Sequence, residues 1–176
     1  AGLGALVSGA GLSRSGRTML WPMIGLSIAA VTLMAVALGL GRMPLVVMAG
    51  LLAVVSMGFG SSFPMVQVTV QVAAGRERLG SATASVQFSR SLGAATGTAL
   101  LGAVLFGTLV AIGGEAAPRF VALVTLGRVA VADLCEGARE AFRAEMTAAF
   151  RAAFAAAAAL TAFAAWMASR VPLQKV

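Results

Sequence analysis

The sequence contains no histidine and no tyrosine, and its one cysteine is Cys135. Without histidine, and with a lone thiol, no Cys/His zinc constellation and no disulfide within the chain can form. Charge is also scarce: 11% of the residues are charged, against about a quarter in a soluble domain. Apolar residues make up 60% of the chain and the mean hydropathy is +0.96. So few polar side chains cannot cover a water-facing surface, and the reading is a chain solvated mostly by lipid.

The acids are Glu77, Glu115, Asp133, Glu136, Glu140 and Glu145, each in a loop or at a boundary. Proton-coupled transport needs a titratable group inside the membrane, usually a carboxylate. This stretch supplies none, so a proton-coupled protein would hold its carrier elsewhere. The same inventory offers no nucleophile, general base, metal site or cofactor site, and enzyme activity is not expected. The formal charge of +7 does not point to nucleic acid, because the basic residues are scattered without interleaved aromatics. In a membrane protein such an excess belongs to cytoplasmic loops.

What is present is a series of apolar runs. A spanning helix needs about 20 predominantly apolar residues. Residues 1–12 read as the end of a truncated membrane helix, since nothing at the N-terminus resembles a signal peptide. Residues 18–40 form a full span, with Trp21 as an interfacial anchor. Gly41, Arg42, Met43 and Pro44 make a tight connection, with proline suited to a first helical turn. Residues 44–73 and 79–112 are two further spans, separated by Gly75, Arg76, Glu77 and Arg78. Residues 113–145 carry most of the acids and read as an extracytoplasmic loop, with an amphipathic helix at 120–132. An Ala-rich span at 146–169 and a cytoplasmic tail at 170–176 complete the chain. The fold expected is all-α, a polytopic transmembrane helix bundle.

Cations in short loops set the orientation. One set of connections holds Arg14, Arg17, Arg76, Arg78, Arg170 and Lys175; the other holds Arg42 and the long mixed-charge segment. The first set is expected to be cytoplasmic, which puts the C-terminus inside a cell's inner (plasma) membrane and Cys135 outside.

Residues 9–17, GAGLSRSGR, resemble the G-x-x-x-D-R-x-G-R loop of the major facilitator superfamily, in its second-half copy. The later run from Gly58 to Leu105 has a Gly-rich helix with a proline, a short charged loop, G-x-A, F-x-R and then repeated small residues. It is similar to the penultimate helix pair of the fourteen-helix drug:proton antiporter branch. The resemblance covers nearly the whole chain and implies the C-terminal part of such a transporter, whose N-terminal helices lie outside this sequence. It implies a loop motif at Gly9, Arg14, Gly16 and Arg17. Ser13 stands where the family has an acid that caps a helix and holds a cytoplasmic gate. Serine can cap an N-terminus but adds no charge, so Arg14 and Arg17 have a second reading as topology anchors alone.

Within 79–112, Ser81, Ser85, Ser89, Gly93 and Gly97 recur every four residues, and Ala95, Ala99, Ala103 and Gly107 form a second stripe. Small-xxx-small faces let helices approach closely in lipid, so close neighbours are expected on two sides. The Gly93/Gly97 face also has a sharper reading as a surface that rocks during gating. Arg90 is expected on the packed face, either about 16 Å into the membrane at 1.5 Å per residue or snorkelling at the headgroups. Gln67 and Gln71 are expected to bond across to Gln87 or Arg90, or to line a vestibule. Pro64 is a natural kink point.

The functional expectation is the C-terminal portion of a secondary active efflux transporter. It would export small amphipathic compounds in exchange for protons by alternating access. The competing expectation is a self-contained four-span scaffold or assembly protein, whose small-residue stripes drive association.

Overall fold

Two glycines and a proline set most of the helix boundaries. In the computed structural model, which describes residues 20–112, 118, 120, 121 and 136–170, every element is helical. Of residues 20–22, 61, 65, 136 and 138 the backbone alone is described. The first helix, α1, runs Leu20–Gly39. It ends at Gly41, whose φ of 86° is open to glycine and strained for other residues. Pro44 then takes an extended conformation, with ψ 149°, as N-cap of α2, Leu45–Ala74. Gly75, at φ 72°, ends α2. A single 3-10 turn, Arg76–Arg78, leads into α3, Leu79–Ile112. The last helix, α4, is Glu136–Ser169.

Three helices, Leu45–Ala74, Arg76–Ile112 with its leading turn, and Arg139–Ser169, are long and apolar enough to cross a membrane. At 34 residues, α3 is about 50 Å long at 1.5 Å per residue, well beyond a hydrocarbon core of about 30 Å. The stretch of α1 fully described, Met23–Gly39, is apolar but shorter than a crossing needs. The side chain of Trp21, the amphipathic segment beyond Val121, Cys135 and the tail from 171 lie outside the described residues.

One boundary differs from the sequence reading. The last helix begins at Glu136 and not at Met146, because the charged stretch Glu136–Glu145 is itself helical. Alanine, glutamate and arginine are strong helix formers, so charge there marks a wet helix and not a loop. Arg139, Arg143 and Arg151 join Arg42 at one end of the bundle, opposite Arg76, Arg78 and Arg170.

Consecutive helices are antiparallel. The bundle is held by α1, which packs extensively on α2 and α4, while α3 rests on α4 and touches α2 lightly. Ala29, Leu33, Val55 and Ala158 form the inner cluster, with Phe59 and Phe154 against it. A second cluster joins α3 to α4 through Leu109 and Ala149, covered by Leu105, Phe142, Met146 and Phe120. A close backbone approach lies between α1 and α2 at Gly58, where a Cβ would come within 2.5 Å of the Gly25 carbonyl oxygen and 3.2 Å of the Ala29 Cβ. Lipid gives little hydrophobic drive to helix association, so such backbone contact supplies the dispersion that does.

Many of the hydroxyls bond within their own helix. Those of Ser27, Thr32, Ser56, Ser62, Ser85, Thr98, Thr108 and Thr161 each donate to the carbonyl four residues earlier in their own helix. Each of these eight hydroxyls is thereby satisfied without a partner helix, as an apolar medium would require.

Candidate functional site

The light contact between α2 and α3 is the feature that makes a site. Next to the Arg76–Arg78 turn the two helices are joined by Gln71, whose Nε2 donates to Thr83 Oγ1 at 3.4 Å. Further along they diverge and leave a cleft of about 1070 Å³. Its walls are Phe59, Phe63, Val66 and Val70 of α2, and Val86, Gly93 and Ala94 of α3. Leu26 of α1 and Ala164 of α4 also reach it. Polar groups enter at Ser62, Gln67, Ser85, Gln87, Ser89 and Arg90.

Arg90 brings a charge to the cleft, and among the described residues no carboxylate lines it. The guanidinium carbon lies 4.2 Å from the centre of the Phe63 ring. Such a contact contributes about 0.5–1 kcal/mol when exposed and ~2 or more when desolvated. It holds Arg90 across the cleft from α3 to α2, one residue before Pro64. Helix α2 continues through Pro64, which lacks an N–H for the carbonyl four residues back.

The positions singled out in the sequence separate into three groups. Gln67, Gln87, Ser89, Arg90 and Gly93 line the cleft together. Gln71 is beside the turn, with Thr83 and not Gln87 or Arg90 as its partner. Gly9, Arg14, Gly16 and Arg17 lie outside the described residues. The close packing expected along the small-residue stripes is not formed among the described residues. A Cβ on Gly93, Gly97 or Gly107 would meet nothing within 4 Å, and Ala95, Ala99 and Ala103 are exposed. A tight glycine contact is instead at Gly58, about two and a half turns before Gln67 on α2.

Arg151 is the residue that the sequence reading passed over. It lies within the Ala-rich run on α4, and its Nη2 donates to the carbonyls of Leu40 at 2.9 Å and Leu38 at 3.3 Å. The Gly39 carbonyl is taken by the backbone N–H groups of Arg42 and Met43. Arg151 thus completes the C-terminus of α1, where carbonyls are left without helical partners and a cation is favoured. The signal available in the sequence was a lone arginine among alanines, four residues after Thr147 and eight after Arg143.

No protein-family model matches this chain, and no curated protein or solved structure matches it. The reading of the cleft therefore rests on its own chemistry. Apolar walls with an amide pair and a guanidinium suit a molecule with an apolar body and a polar or anionic head. Among the described residues no cluster of His, Cys, Asp or Glu can hold a metal ion.

Proposed function

We propose that this chain is the C-terminal portion of a secondary active efflux transporter of the major facilitator type. In this reading it is a multi-pass protein of the inner membrane with its C-terminus cytoplasmic. Small amphipathic compounds are exported by alternating access, in exchange for protons. The observation that carries the reading is the cleft between α2 and α3, with apolar walls and Arg90 held on Phe63. The order of the loop motif and the F-x-R helix along the sequence supports the family assignment. The missing N-terminal helices complete the transport pathway and supply the proton carrier.

Transport is tested by efflux of a fluorescent amphipathic dye from cells making the full reading frame, with and without an uncoupler. Dye retention unaffected by the protein would overturn the reading; export that stops with the uncoupler supports it. Gly93→Leu is the sharper variant. It places a side chain into the cleft from a position with no atom within 4 Å of its Cβ. It is expected to reduce dye export at least about tenfold, equivalent to about 1.4 kcal/mol, while leaving the thermal midpoint within the small range of surface changes.

A second reading, a four-span scaffold, is favoured by the open stripe Ala95, Ala99, Ala103 and Gly107 on α3, a face shaped for another helix. Bulky substitution at Ala99 that disperses a cross-linked oligomer, with no dye export by the parent protein, would select it.

A further inference from the structure

At the end of the bundle away from the cleft, a second recess of about 520 Å³ lies between the α1–α2 turn and α4. Its lining includes Gly41, Arg42, Arg143, Thr147 and Arg151, and among the described residues no acidic side chain. We propose that this recess binds a phosphate group, presented by an anionic lipid headgroup or by free phosphate. The inference is independent of transport and of substrate.

Position is the first argument. The turn at Leu40–Met43 joins two apolar helices, so in a membrane it lies at the boundary where lipid phosphates are found. Charge is the second. Arg143, Thr147 and Arg151 follow one another every four residues along one face of α4, and Arg42 approaches from the turn. Neither Arg42 nor Arg143 forms an ion pair among the described residues. Three like charges around one recess repel unless an anion lies between them. Geometry is the third. Arg151 is fixed by its bonds to Leu38 and Leu40, and its Nε is buried without a hydrogen-bond partner. The Thr147 hydroxyl is spent on the Arg143 carbonyl, so anion recognition falls to guanidinium forks. These match phosphate oxygens two at a time.

The test uses the whole chain of 176 residues in uncharged detergent. Native mass spectrometry counts bound lipid, and thermal unfolding is followed with phosphatidylglycerol, phosphatidylcholine or inorganic phosphate. Phosphatidylglycerol is expected to remain bound and raise the midpoint more than phosphatidylcholine does. An equal rise with inorganic phosphate identifies free phosphate as the source and still supports the site. The pair Arg42→Gln and Arg143→Gln is expected to weaken phosphatidylglycerol binding at least about tenfold, through lost charge-assisted bonds. The pair Arg42→Lys and Arg143→Lys keeps the charge but loses the forks, and is expected to fall between the parent and the glutamine pair. Equal retention of phosphatidylglycerol and phosphatidylcholine without a phosphate effect, or unchanged binding in both pairs, overturns the proposal.

Discussion

Gly58→Ala is expected to lower the thermal unfolding midpoint of the purified chain, whereas Gly50→Ala, on the same helix, raises it slightly. At Gly58 the new methyl would lie 2.5 Å from the backbone oxygen of Gly25. That atom cannot rotate away as a side chain can, so α1 must shift off α2. Overpacking of this kind costs about 1–3 kcal/mol, or on the order of 5 °C for a chain of this size. At Gly50 a Cβ meets nothing within 4 Å. There the gain in helix propensity, about 0.5–1 kcal/mol, acts alone. Parallel melts in one detergent decide the matter: equal effects at the two positions would refute the close α1–α2 contact. Gly58→Leu is expected to be worse than Gly58→Ala, because a longer side chain moves α1 further.

The second large effect is expected at Arg151. Arg151→Met preserves length and apolar packing but removes the donor shared by the Leu38 and Leu40 carbonyls. Bonds from a charged donor contribute about 1.5–3 kcal/mol, and leaving their acceptors unmet adds to the loss. Arg151→Lys should restore part of it, since an ammonium still favours a helix C-terminus. Hydrogen exchange gives the local readout. Amides of Arg42 and Met43, which bond to the Gly39 carbonyl, are expected to exchange faster in Arg151→Met, with those of Ala94–Leu100 unchanged. Uniform acceleration throughout would mean general destabilisation and not a lost cap.

Much of the helix frame was legible because its breakers are local. Gly41, Pro44 and Gly75 act through their own φ and N–H, and the apolar runs read as 44–73 and 79–112 coincide with the helices Leu45–Ala74 and Leu79–Ile112. The start of α4 was not legible from charge, since Glu136–Glu145 is polar by composition and helical by propensity. Partners were less accessible still. The periodicity of Ser89, Gly93 and Gly97 describes a face but not what covers it, and within this chain that face borders the cleft or lies open. Arg90 was visible as a charge out of place, yet its pairing with Phe63 depends on where α2 and α3 part. Arg151 was hidden for the opposite reason: reading the Ala-rich run for its hydropathy averaged away a side chain that hydrogen-bonds α4 to the end of α1.

The inward-turned serines and threonines bear on how this bundle can move. With Ser62, Ser85 and Thr161 bonded inside their own helices, rotating one cylinder against the next breaks no directional bond at those points. Resistance to sliding then falls to surface shape, tight where Gly58 meets Gly25, and to a few cross-links between helices: Arg151 on the Leu38 and Leu40 carbonyls, Gln71 on Thr83, and Arg90 on Phe63. Helices α1, α2 and α4, packed together and tied by Arg151, would travel as one rigid lever, and α3, which touches α2 lightly, would be the member that turns.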